Sequence, residues 1–318
     1  MGKLQNILAT CLAVLVLSAC DPVNAPAELT SSEFEGFTVH SAIPANPVGI
    51  VYLFHGTGGS AQFGLKIETL DQTNQLLARG YGWVATESTQ RDGNKRWDVN
   101  NPLITTNPDL ARLARLHAHL VATTPVTDET PIFGIGMSNG ARMVSLFGQV
   151  FADSGYPVVA VAPFMGTAAP WVKLTGGLRV PGFWVNAIND ATVAPDAVAA
   201  DQAASAALGV PSVLFTKLEE PLLPIRFTRI PAIDLDEAEQ IYLSLAGSGV
   251  WDAQGNRQVE LNTAIVAILS TPVPPGTGAT PAQVRNQVSA MLGLHQFTAA
   301  FAPFVADFFE AQRIAYQL

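Results

Sequence analysis

The chain has 318 residues, nearly half of them hydrophobic, enough to bury one large core or a core carrying an insertion. Its formal net charge is -9 and its Lys and Arg residues form no cluster. That excludes nucleic acid as an expected partner, since phosphate contacts need concentrated cations.

The first predicted element is a leader. Lys3 is the one charge in MGKLQNILATCLAVLVLSAC, and the apolar stretch 7–17 is short for a bilayer span. Leu17-Ser18-Ala19-Cys20 resembles the lipobox of bacterial lipoproteins. The resemblance implies an exported protein, removal of residues 1–19, lipidation of Cys20 and stable anchoring to a membrane by several acyl chains. Asp21 resembles the signal that keeps such lipoproteins at the periplasmic face of the inner membrane. The plainer alternative is a secretory leader with an incidental cysteine. Cys11 leaves with the leader, so the mature chain has no pair to oxidise and relies on its core. Residues 20–36 are rich in Pro, Ser and small side chains and read as a tether.

Beyond the tether, strands and helices alternate. A β-rich apolar run at 48–54 ends at HGTGG (55–59). A helical stretch at 61–79 stops at Gly80, and a short strand follows at 83–87. Asn107-Pro108-Asp109 opens a helix with leucines at 110, 113, 116 and 120. A strand at 131–137 leads into a helix at 139–152. Further strands are expected at 158–163, 182–188 and 212–218, and a terminal helix presents Phe297, Phe301, Phe304 and Phe308 on one face. The pattern predicts an α/β domain with a mostly parallel sheet flanked by helices.

Gly136-Met137-Ser138-Asn139-Gly140 is G-x-S-x-G between a predicted strand and helix, the pattern of a nucleophile elbow. The sharp turn strains the serine backbone, and glycines on either side remove collisions. A serine hydroxyl needs a base, and the base needs an orienting acid. Of the five histidines, His295 fits best, in a short loop before the terminal helix. His40 reads as a surface residue, and His55 as structural in its turn. His117 and His119, two apart on a helix, point in different directions and read as solvated or half-buried. Asp190, just past the strand at 182–188, is the expected acid, although an aspartate there also suits a turn or cap. Asp196 and Asp201 are alternatives on a helix. One oxyanion donor would be the Asn139 backbone N–H and the other that of Thr57, or of Gly58.

The order Ser138, Asp190, His295, with HGTGG at 55–59, NDATVAP at 189–195 and LHQF at 294–297, resembles the α/β-hydrolase superfamily over residues 37–220 and 289–318. HGTGG with GMSNGAR resembles, more weakly, a secreted branch of polyhydroxybutyrate-depolymerase-like and feruloyl-esterase-like enzymes. Ala141 stands where that branch often has a further glycine. The resemblance implies a serine esterase acting through an acyl-enzyme on a small or polymeric ester, with no metal or organic cofactor. A thioesterase or peptidase uses the same machinery, and a tethered non-catalytic binding protein is the alternative of a different class.

His295 follows Asp190 by more than one strand and one helix require, which sets residues 221–288 apart as an insertion. A capping box is expected at Asp236 and Glu239, and a hairpin turn at 252–256, which lacks the carboxylate spacing of a calcium loop. The segment reads as a lid, a recognition surface or a packing unit. Trp97 and Trp251 suit either a pocket or ordinary packing.

Overall fold

The computed structural model describes residues 27–231 and 233–318. Cys20, Asp21 and the leader lie outside the described residues. Eight strands form one sheet: β1 (Leu29–Phe34), β2 (Phe37–Ala42), β3 (Gly49–Phe54), β4 (Tyr81–Thr86), β5 (Ile132–Met137), β6 (Val158–Phe164), β7 (Gly182–Ala187) and β8 (Ser212–Lys217). Their spatial order is β1-β2-β4-β3-β5-β6-β7-β8, antiparallel at β1/β2 and β2/β4 and parallel beyond. This order, with its parallel run and crossover helices, is that of the α/β-hydrolase fold.

The central strands are apolar on both faces because both are covered. In β3, Ile50, Tyr52 and Phe54 face one layer, and Val51 and Leu53 the other. The first layer holds α2 (Pro108–Thr123), α3 (Asn139–Asp153), α4 (Pro170–Leu174) and α5 (Pro195–Ala207); the second holds α1 (Ile67–Leu77) and α9 (Ala302–Gln317). The leucines of α2 at 110, 113, 116 and 120 are all buried, and the Asn107 side chain caps it, accepting from Asp109 N and Leu110 N. A Cβ on Gly134 of β5 would overlap Val144 of α3, so the glycines of this strand let the helix lie close against it.

Several boundaries differ from the sequence expectation. The tether assigned to 20–36 is too long: Leu29–Phe34 is an edge strand, paired with β2 from Leu29–Ala42 to Phe34–Phe37 around a two-residue turn at Glu35 and Gly36, both at positive φ. Five of its six residues are exposed, so no apolar alternation marks it. The helical stretch at 61–79 is a 3-10 turn (Ala61–Leu65) followed by α1, with Lys66 extended between them. The four phenylalanines do not share a buried face. Phe297 precedes α9 and packs on Phe63 and Phe164, Phe304 is half-exposed, and Ala302, Val305, Ala306 and Phe309 form the buried side.

The segment after β8 contains a 3-10 turn (Pro224–Arg229), α6 (Leu235–Ala246), α7 (Leu261–Ser270) and α8 (Pro281–Met291) around an apolar cluster of its own that includes Phe227, Ile241, Trp251 and Val288. Its end lies at Leu292 rather than 288, because α8 runs through that boundary and Met291 and Leu292 pack in the same cluster. The capping box of α6 is Asp234 and Glu237, two residues before the expected pair. The turn at 252–256 is present, closed by Asp252 N donating to Asn256 O and by a Trp251–Arg257 bridge. The two ends of the segment touch: Glu220 N donates to Met291 O at 3.0 Å.

Candidate active site

Ser138 sits between β5 and α3 at φ 60° and ψ -117°, a strained conformation for a non-glycine residue. Its N–H donates to Phe164 O at 2.9 Å, and its carbonyl accepts from Ala141 N at 2.9 Å. A Cβ on Gly136 would overlap the Gly140 carbonyl, and one on Gly140 would overlap Phe54 O. Glycine is therefore required on both sides of the serine for the turn to close. The start of α3 behind Ser138 places partial positive charge there.

Asp190 lies in the turn after β7. Its Oδ1 accepts from Thr192 N at 2.8 Å and Val193 N at 2.9 Å, and its Oδ2 lies 2.7 Å from His295 Nδ1. One carboxylate thus serves both as turn aspartate and as partner of the imidazole. Burial alone would raise its pKa. The hydrogen bond from His295 and the two backbone N–H groups outweigh this and hold it below the ordinary carboxylate value. The His295 loop is clamped to the end of β7 by Asn189, whose N–H donates to Gly293 O at 2.9 Å and whose Nδ2 donates to Leu292 O at 2.8 Å. Asp196 and Asp201 both lie on α5, and Asp201 is tied to Lys173 and Ala168 N.

His55, Thr57, Ser138 and His295 line one cavity of about 920 Å³, within the usual size range of small-molecule sites. The His55 ring is buried; its Nδ1 donates to Gly56 O, and its Nε2 accepts from Ser88 N at 3.1 Å. Burial pushes its pKa down to about 4, so it is neutral and structural. In the HGTGG turn, Gly58 N donates to Asn94 O at 2.7 Å and Gly59 N to Gly56 O at 3.0 Å. Both are therefore engaged within the protein, and Thr57 is exposed at the cavity. Asn139 begins α3, and its side chain is held away by Trp97, accepting from Trp97 N at 2.7 Å. Trp97 is itself buried, with Nε1 donating to His55 O at 2.9 Å. It braces the site from behind. Trp251 is buried in the cluster of the inserted segment.

No family model and no curated protein matches the sequence. Solved structures resemble the chain at low identity. The esterase Pf2001 of Pyrococcus furiosus is 16% identical, covering 60% of this chain and 83% of that one at a TM-score of 0.43. The acetyl xylan esterase of Aspergillus awamori is 14% identical, covering 57% and 80% at 0.45. Est1E of Butyrivibrio proteoclasticus, with ferulic acid bound, is 13% identical, covering 59% and 88% at 0.41. The fold assignment rests on this chain's own strand order.

Of the other histidines, His119 falls as expected, whereas His40 and His117 are more buried. His40 is buried rather than at the surface, 2.8 Å from Ser31 Oγ through Nδ1 and 3.0 Å from Gln62 Nε2 through Nε2. His117 is fully buried, 2.9 Å from the Tyr52 hydroxyl, whereas His119 is exposed beside Phe34. Among the described residues no group of three or more His, Cys, Asp or Glu side chains is placed to hold a metal ion.

Three features of the site escaped the sequence reading. Asn189 is one. Glu68 of α1 is the second: it is buried at the cavity, its Oε1 accepting from Arg226 at 3.0 Å and Gln287 at 3.1 Å and lying 3.1 Å from Arg229, its Oε2 accepting from Ala299 N at 2.7 Å. Gln287 of α8 is the third. Partners more than 150 residues apart leave no local pattern, and only the NDA turn after a strand hinted at Asn189.

Proposed function

We propose that the chain is a serine hydrolase that cleaves carboxylic esters, with Ser138 as nucleophile, His295 as general base and Asp190 orienting the imidazole. Ser138 Oγ attacks the ester carbonyl carbon while His295 Nε2 takes its proton. The imidazolium that forms keeps Nδ1–H on Asp190, and the charge on the carbonyl oxygen is met by the backbone N–H groups of Thr57 and Asn139. The proton then passes to the departing alkoxide, leaving an acyl-serine. His295 next activates water to release the acid and regenerate the hydroxyl. Because Gly58 N–H is already engaged by Asn94 O, Thr57 is preferred to it as oxyanion donor.

One observation carries this reading: the 2.7 Å contact of His295 Nδ1 with Asp190 Oδ2, in a cavity that also presents a serine at φ 60°. The choice of esters over thioesters and amides rests on the sequence resemblance alone. A fluorophosphonate probe tests the nucleophile without assuming a substrate. Wild type is expected to label and Ser138→Ala to remain unlabelled, with an ester, thioester and amide panel following. Equal labelling of both would move the nucleophile elsewhere, and labelling of neither would favour a tethered binding protein. The leader and Cys20 extend the proposal to an exported, lipid-anchored enzyme.

A further inference from the structure

Apart from its histidines, the catalytic cavity is lined, among the described residues, by two charged side chains, Lys66 and Glu68. Glu68 is balanced. With Asp71 it meets Arg226 and Arg229, two carboxylates against two guanidinium groups. Lys66 is not balanced. Its side chain is accessible, and among the described residues its ammonium has neither an ion pair nor a hydrogen bond.

The position is a poor one for stability. Lys66 is the N-cap of α1, at φ -72° and ψ 146°, and its side chain makes no capping bond. Ser, Thr, Asp or Asn would cap the free N–H groups there, whereas the partial positive charge of a helix N-terminus repels a cation. The cleft also withdraws water from the ammonium, pushing its pKa below the ordinary lysine value, and no carboxylate opposes that shift. The charge is felt at the site itself. Burial lowers the pKa of His55 most, and the charge of Lys66 is among those that lower it further. A cation held against the preference of its own helix, on the wall that also carries Ser138 and His295, is a local inconsistency of the kind found at functional sites.

The chemistry of the wall narrows the ligand. An ammonium without a counter-charge calls for an anion. One ammonium balances one charge, which favours a carboxylate over a phosphate monoester carrying roughly two. Neutral donors stand on the same cavity: Asn286 of α8 and Gln296 line it half-buried, with side-chain amides that bond no other described residue. The chain as a whole carries a net charge of -9 and repels anions at long range, so a local cation is what admits one.

We infer that Lys66 is a specificity-determining residue of this cavity, binding a carboxylate that the substrate carries apart from its scissile bond, so that carboxylated esters are preferred to their neutral counterparts. This builds on the reading of Ser138 and His295 as the reacting groups. The carboxylate belongs to either the acyl or the alcohol side of the ester. Two pairs of similar size separate these, a methyl ketone replacing the carboxylate in each: monomethyl succinate against methyl 4-oxopentanoate, and acetoxyacetate against acetoxyacetone.

The test is calorimetric binding of all four esters, at neutral pH and low salt, to the full chain carrying Ser138→Ala, which holds them without turnover. One pair is expected to show a preference of about tenfold or more for the anionic member, shrinking as salt is added. Adding Lys66→Met is expected to bring the ratio to near unity while leaving the neutral members bound as before. That substitution keeps the apolar stem and removes a cation from the start of α1, so Tm is expected to hold or rise. Equal or undetectable binding within both pairs would overturn the inference, as would a preference that survives Lys66→Met. A fall in Tm would assign the ammonium to the fold instead. Hydrolysis by the wild type is scored separately: preference without turnover refutes only the catalytic reading, and turnover without preference refutes only the role of Lys66.

Discussion

His55 opens the HGTGG turn with its ring buried, and this makes folding sensitive to acid. In the unfolded chain the imidazole titrates near 6.5; in the folded protein its pKa is about 4. Between those values the unfolded state binds more protons. The stabilisation is therefore complete above about pH 6.5, declines on acidification and is gone below about pH 4. The difference is worth roughly 3 kcal/mol. Burial shifts His40 and His117 in the same direction, so they add to the loss. Urea midpoints measured from pH 7.5 to 4 should fall over this window, and ring nitrogen shifts should show His55 neutral at pH 5. A flat midpoint from pH 7 to 5 would refute the account. Asp190, held low by His295 and two N–H groups, contributes stability that is complete above the ordinary carboxylate pKa and is lost progressively as pH falls from there through its lowered folded value. The site residues legible in the sequence are those whose chemistry dictates the local backbone: Ser138 between obligatory glycines, Asp190 in a turn after a strand. The burial of His40 was not legible, because the strand that covers it, β1, carries no apolar pattern.

Among the elements, those with two covered faces were the plainest to read. The strands β3 to β7 are continuous apolar runs, whereas the exposed β1 reads as tether, and the 3-10 turn before α1 sets Gly64 close against β4, a contact the local sequence does not announce. The inserted segment was recognisable by excess length, but its attachment was not, since that rests on the Glu68 carboxylate. Removing it by Glu68→Ala leaves the half-buried Arg226, the buried Gln287 and the Ala299 N–H without their partner, so a destabilisation of about 3–5 kcal/mol is expected. Because Ala299 follows His295 by a few residues, probe labelling of Ser138 should also slow. Chemical denaturation and timed fluorophosphonate labelling check both. A variant that unfolds at the wild-type midpoint would show that the carboxylate holds nothing in place.

For the molecule as a whole, the question is where the cavity stands relative to the membrane. No helix among the described residues is long and apolar enough to cross one, so anchoring falls to Cys20 in this proposal. Nine residues separate Cys20 from β1 when Leu29 is counted, a reach of at most about 30 Å. Were Cys20 lipidated as proposed, β1 would stand within about that distance of the lipid surface. In a bacterial host, the wild-type chain should sediment with membranes and take up labelled palmitate, and Cys20→Ser should lose the label. Equal labelling of both would remove the anchor from the proposal.

The contact between Glu220 N and Met291 O has an evolutionary meaning. A segment whose two ends meet can be exchanged without stretching the sheet, as a cassette on a fixed chassis. The chassis keeps Ser138, Asp190 and His295, while the cassette carries α8, whose Gln283, Asn286 and Gln287 line the cavity. Such an exchange would leave the positions of Ser138, Asp190 and His295 untouched, under one constraint. Any incoming cassette must supply cations to Glu68, or position 68 must change along with it.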